Sequence, residues 1–269
     1  MLTATLGGLI KDYRIKKRLS QLEVSLRIGW KDTSRLSKIE QGRVGIPTRT
    51  TLNRIMNALE LNEQENNMML LASRQLPSHA EIQQTIHKLK QKIESFETPV
   101  KLIDYSWRVF YLNSHAKKLY KTSDKINSYL FENKPNWLEL LFSQDRFFGV
   151  NIREGYALQE ISSYYEHEIS QFKYDHMDNT KEKWYLDLIA RLSKNEIFRQ
   201  KWVSITPDNY ENLLYEHEVH SIRGEWNKKK ATLNFHEFSV RPSFDFRYYL
   251  SIYMPADTFT YELYQRIKD

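Results

Sequence analysis

Thr33, Ser34, Arg35, Ser37 and Lys38 are hydrogen-bonding side chains packed into six positions, and Leu36 and Ile39 fall between them at the spacing of a helix's inner face. Lys31 and Arg43 stand just before and just after this run. Hydroxyl and cationic side chains on the first turns of a helix suit the base edges of a duplex major groove. Flanking cations suit the phosphate backbone. Gln21 opens the preceding segment, where its amide and the free N–H groups of a helix start suit another phosphate. The chemistry implied is recognition of double-stranded DNA by hydrogen bonding, with no bond made or broken.

The elements that must position these groups are legible around them. Ser20 and Glu23 form a capping box at the start of a helix that runs to about Ile28, and Gly29 permits the tight turn after it. Asp32 or Thr33 caps the next helix, which Gly42 ends. Leu6, Ile10 and Tyr13 give a helix before this pair. Leu52, Ile55 and Leu59, then Met68 and Leu71 behind the Asn62–Glu65 box, give two after it, and Pro77 closes the block. The pattern predicts an all-α helix-turn-helix domain over residues 1–76. Charge agrees with it. Residues 1–59 carry twelve Lys/Arg against four Asp/Glu, an excess of eight, while the whole chain's excess is six. Cations concentrated on one domain favour phosphate binding by counterion release.

This segment closely resembles the XRE family of lambda-repressor and Cro-like transcription regulators. Leu6-Gly7, Ile10, Arg14, Ser20-Gln21, Glu23, Gly29, Ser37-Lys38-Ile39-Glu40, Gly42, Pro47 and Leu52 carry the likeness. The resemblance implies a five-helix lambda-repressor-like fold and an Arg14–Glu40 ion pair that is structural and does not touch DNA. One departure stands out. Gly29 to Glu40 is one residue longer than the usual repressor spacing, with Trp30-Lys31-Asp32 in the turn, so the register of Thr33, Ser34 and Arg35 on the bases stays open.

Ser78 and Glu81 make a further capping box, and Ile82, Ile86, Leu89 and Ile93 follow at alternating steps of four and three. The connecting helix predicted over residues 77–97 either pairs between two copies of the chain or lies against its own domain.

Residues 98–269 read as an α+β domain: two strands at 100–104 and 108–112, then a block of helices that includes 153–172 and 180–203, then three antiparallel strands at 213–223, 231–240 and 246–254, with a hairpin turn at Lys228–Lys230 after Gly224. Trp107, Phe110, Trp137, Leu141, Trp184, Leu188 and Trp202 fall on apolar faces. They either fill a core or line a pocket for a small apolar molecule. Glu160, Glu166 and Glu168 suit a solvated helix face. His217 and His220, three apart on a strand, point to opposite faces and make a poor metal pair. Pro99 to Asp104, Trp107-Arg108-Val109, Asn136 to Phe142, Leu188 to Ser193, Phe198, Trp202 and Tyr253-Met254-Pro255 are similar to the MmyB-like ligand-binding domain. That resemblance implies a PAS-like fold that senses an apolar ligand, a fatty acid being one candidate.

There is no cysteine, hence no disulfide or thiolate chemistry, and no glycine-rich phosphate loop or nucleophile elbow. The expectation is a cytoplasmic regulator, not an enzyme, with no cofactor, metal or membrane span. Homodimerisation is expected because palindromic sites are read by dimers. A ligand would act by shifting the population of inter-domain arrangements through the 79–96 helix. A C-terminal domain that only dimerises or docks a protein partner is the other reading.

Overall fold

A computed structural model of the 269-residue chain describes residues 5–123, 125–142, 158–206, 219–226 and 229–268. It divides into two compact units. One comprises Met1–Pro77 with the short segment Arg241–Arg247, the other Ser78–Val240 with Tyr248–Asp269.

The first unit is helical: α1 (Leu6–Lys16), α2 (Gln21–Ile28), α3 (Ser34–Glu40), α4 (Arg49–Ala58) and α5 (Glu63–Ala72). Local chemistry sets its boundaries. The Ser20 hydroxyl accepts from the Glu23 N–H while the Glu23 carboxylate accepts from the Ser20 N–H, and Asn62 and Glu65 repeat the arrangement on α5. Gly29 ends α2 in the left-handed conformation, φ 87°. Leu9, Ile10, Val24, Leu36, Ile39, Leu52, Ile55, Leu59 and Met69 meet in one buried core. Within this unit the Asn67 amide donates to the Ser243 carbonyl at 2.9 Å, and Arg247, fully buried, forms a forked pair with Asp245.

The second unit opens with α6 (His79–Glu94) and carries β1 (Val100–Asp104), β2 (Val109–Leu112), α7 (Ser114–Tyr120), α8 (Ile126–Asn133), α9 (Trp137–Phe142), α10 (Leu158–Asp175), α11 (Lys183–Leu192), α12 (Glu196–Ser204), β3 (His220–Trp226), β4 (Lys229–Val240), β5 (Tyr248–Pro255) and α13 (Thr258–Lys268). The five strands form one antiparallel sheet in the order β2-β1-β5-β4-β3. Its main core gathers Ile103, Leu138, Leu141, Tyr165, Ile169, Phe172, Leu188 and Phe198. A smaller cluster of Leu119, Leu233, Phe235, Tyr253 and Tyr264 seats α13 beside β4.

Two sequence expectations are revised. The helix expected over 180–203 is two, because the Asn195 side chain accepts from the Phe198 N–H and starts α12 afresh. The hairpin turn expected after Gly224 moves along the chain. Gly224 pairs with Ala231 and the ladder continues to Trp226↔Lys229, so Lys229 and Lys230 lie in the strand. The connecting helix, for which the sequence left two readings open, falls within the second unit. Ile82, Leu89 and Ile93 are buried, and Glu94 accepts from the Tyr111 hydroxyl at 2.6 Å and the Ser114 N–H at 2.9 Å.

Candidate nucleic-acid interface and the buried core of the C-terminal unit

On α3 the chain separates its two faces cleanly. Leu36, Ile39 and Glu40 are buried, whereas Ser34, Arg35 and Lys38 are exposed, with Lys31 and Arg43 exposed on either side and Thr33 and Ser37 half-buried. The helix starts without a cap bond from Thr33. The Asp32 carboxylate accepts from the Ser34 N–H at 2.8 Å instead, which holds the Asp32 carboxyl below its usual range. Trp30, in the lengthened turn, lies under the Arg35 guanidinium, 4.8 Å from its ring centroid. Sequence reasoning missed this stack. An aromatic residue five positions before an arginine gives no periodic signal across a turn.

Behind α3, Arg14 of α1 grips Glu40 through two bonds, Nε–Oε1 at 2.6 Å and Nη2–Oε2 at 3.0 Å. The Gln21 amide also donates to Glu40, at 2.8 Å. In the free chain Gln21 therefore ties α2 to the end of α3 and is not turned outward. Gly7 explains the close approach of α1. A Cβ there would lie 2.8 Å from the Glu40 carbonyl oxygen and nearer still to that of Ile39. At the far side of the unit Glu65 accepts from Lys16 at 2.8 Å and sits 3.2 Å from Lys17. The Lys16 bond, with the Asn62 N–H, outweighs the cost of burial and holds its carboxyl down at about 2.

In the second unit, Trp107, Trp137, Leu141, Trp184, Leu188 and Trp202 all join the main core. Phe110 does not. It is fully buried elsewhere, against Tyr248 and under the Arg108 guanidinium. Sequence reasoning also missed a charged network beside that core. Lys101 is buried on β1, donates to the Tyr253 hydroxyl at 2.6 Å, lies 4.1 Å from the Trp137 ring centroid and faces Glu237 at 3.4 Å. His220 stands between Glu237 and Glu168, at 3.6 and 3.8 Å. Burial would raise the Glu237 carboxyl, but Lys101 and His220 prevail and hold it at about 2. Glu168 corrects an expectation. It is buried, not solvated, because the Trp137 indole N–H donates to it at 3.1 Å. Glu166 instead pairs with Lys201 at 2.6 Å. The side chain of Glu160, and His217, lie outside the described residues. A lysine in the apolar run of β1 was the one sequence signal for this network.

Among the described residues no group of His, Asp and Glu is arranged to hold a metal ion, and no helix is long and apolar enough to cross a membrane. Residues 5–67 match the family model described as a helix-turn-helix domain. No curated protein matches the chain. The N-terminal unit is thus a helix-turn-helix domain, the class of module that points to a DNA-binding regulator.

Proposed function

We propose that the chain is a transcription regulator that reads a DNA sequence with α3 and is controlled by a small apolar molecule, such as a fatty acid, held in its C-terminal unit. The observation that carries the DNA reading is the division of α3. Arg35 and Lys38 are exposed on a helix whose other side is locked by Leu36, Ile39 and the Arg14–Glu40–Gln21 cluster. A rigid helix with cationic and hydroxyl groups on its free face fits a major groove. Lys31 and Arg43 serve the phosphates, and Gln21 joins them if DNA draws it away from Glu40. The features of the segment agree with an XRE-type regulator, working in the cytoplasm as a homodimer on a palindromic site and performing no catalysis.

The strand order β2-β1-β5-β4-β3, with helices between the second and third strands, supports the PAS-like, MmyB-like reading of the C-terminal unit. So does the gathering of six of the seven predicted pocket residues in one core. In this reading a ligand favours one of two states of the protein and so changes operator affinity. A second reading, a C-terminal unit that docks a protein or a second copy, draws on Phe238, Val240 and Met254, which are exposed on adjacent strands.

Selection of tight-binding duplexes from a random library tests the DNA reading. The full-length chain is expected to enrich one motif. Lys38→Ala and Arg35→Ala are expected to lose about tenfold or more in affinity for it, as for loss of a base or phosphate contact of about 1–3 kcal/mol, with unchanged circular dichroism. Failure to enrich any motif, or unchanged binding by both variants, contradicts it.

A further inference from the structure

Arg35 is the second residue of α3 and is exposed. A helical side chain leans toward the helix N-terminus, so Arg35 leans back over the turn that precedes α3. There its guanidinium lies over the Trp30 ring, 4.8 Å from the centroid. Trp30 is itself anchored. Its backbone N–H donates to the Ser25 carbonyl at 2.8 Å, and its half-buried ring packs against the core of the first unit. The ring is a fixed platform, and the arginine is the longer, freer group laid on it.

Among the described residues no hydrogen bond or ion pair takes up the Arg35 guanidinium, so its N–H donors stay available while the ring restrains the group that carries them. Other arginines of the unit differ. Arg14 spends its donors on Glu40 and the Leu19 carbonyl, and Arg27 on the Ala58 carbonyl and Glu60. Lys31, Lys38 and Arg43, exposed cations of the same interface, lie over no ring among the described residues. A long side chain loses freedom when it binds, and one already laid on a ring loses less. Its rigid fork of donors matches the O6 and N7 acceptors that guanine presents in the major groove. A phosphate is the other acceptor open to an arginine, and Asp32 disfavours it here. The Asp32 carboxylate has taken the Ser34 N–H at 2.8 Å and puts a negative charge at the start of α3, where a phosphate would otherwise sit.

From this arrangement we infer that Arg35 reads a guanine through its O6 and N7, and that Trp30 is the positioning residue that sets the guanidinium for that contact. The recognised half-site then holds a guanine where the first turn of α3 reaches the base edges, and discrimination at that base pair depends on a residue outside the recognition helix. Trp30 stands in the turn that is one residue longer than the usual repressor spacing, so the stack is a feature of this chain and is not implied by the family resemblance. The inference rests on the DNA reading above and names the base that reading depends on.

The test uses the full-length protein and the duplex selected from a random library, with each guanine of the half-site replaced in turn by 7-deazaguanine, which lacks the N7 acceptor. One replacement is expected to weaken binding by about fivefold or more, and Arg35→Ala should abolish that penalty while keeping the penalties at other guanines. Trp30→Leu keeps an apolar side chain but offers no aromatic face. It should weaken binding to the parent duplex by about twofold to fivefold and shrink the penalty at the same guanine alone, and Trp30→Phe should restore both. A purely structural Trp30 would instead weaken every duplex equally, which overturns the inference. So does a penalty at each guanine that Arg35→Ala leaves unchanged, or an Arg35→Ala variant whose only effect is a shallower salt dependence, the mark of a phosphate contact. If the library yields no preferred duplex, the DNA reading itself falls and this inference with it. A preferred duplex in which no guanine depends on Arg35 removes the inference and leaves the DNA reading standing.

Discussion

Gly7 is the residue on which the geometry of the DNA-reading unit turns. Its missing Cβ lets α1 touch the last turn of α3, where the Glu40 and Ile39 carbonyls leave no room for a methyl group. Backbone atoms cannot swing aside as a flexible side chain can. Gly7→Ala is therefore expected to cost about 1–3 kcal/mol by overpacking, in spite of alanine's better helix propensity, and to loosen the Arg14–Glu40 contact behind the recognition helix. Urea unfolding followed by circular dichroism checks this, and a neutral or stabilising effect would mean that the helices part at no cost. Much at this scale was legible in the chain. Ser20–Glu23 and Asn62–Glu65 announce their caps in sequence, and Leu36 and Ile39 announce the inner face of α3. Trp30 over Arg35 was not legible, because contact across a turn leaves no periodicity.

Among the elements, α6 shows how one pattern serves two structures. Its apolar positions recur at the spacing of a two-stranded coil, but Ile82, Leu89 and Ile93 are already buried within the chain and Glu94 is tied to Tyr111 and Ser114. About two heptads cannot sustain pairing alone, and a helix with that stripe gains as much by packing on its own unit. Ile93→Ala should accordingly destabilise the C-terminal unit by about 2–4 kcal/mol. Sedimentation equilibrium should show the molecular mass unchanged. A fall in mass at unchanged stability would restore the inter-chain pairing reading. The break between α11 and α12 was hidden for a related reason. Asn195 acts as a cap, yet apolar residues on both sides keep helical spacing across it.

At the scale of the whole molecule, two domains and the α+β character of the second follow from charge and periodicity, whereas the buried charges do not. Lys101 and Glu168 are buried charged residues that pattern-reading assigns to solvent, and long-range partners, the half-buried Glu237 among them, decide otherwise. His176, Glu237 and Glu65 give the protein an acid response. Above about pH 6.5 His176 is neutral whether the chain is folded or unfolded. Below that value the unfolded chain takes up a proton that the folded chain refuses until about pH 3, so stability falls over this window. Glu237 and Glu65, held at about 2 against an ordinary 4.5, add their loss only between about pH 4.5 and 2. Urea unfolding followed by tryptophan fluorescence should show stability falling between pH 6.5 and 5, by at most about 1.4 kcal/mol per pH unit for one group. His176→Phe should flatten that limb, and an unchanged limb would show that the imidazole is protonated inside the fold.

In the proposed function, DNA reading is joined to a small molecule. The most direct test of this coupling is the affinity of the full-length protein for its selected duplex, measured by fluorescence anisotropy on protein as purified and on protein stripped of bound small molecules, with the extract identified by mass spectrometry. A stoichiometric apolar compound is expected in the extract, with a change in duplex affinity of about fivefold or more on stripping, restored when the compound is returned. The same affinity in all three states would contradict the coupling and leave the C-terminal unit without a role in controlling DNA binding.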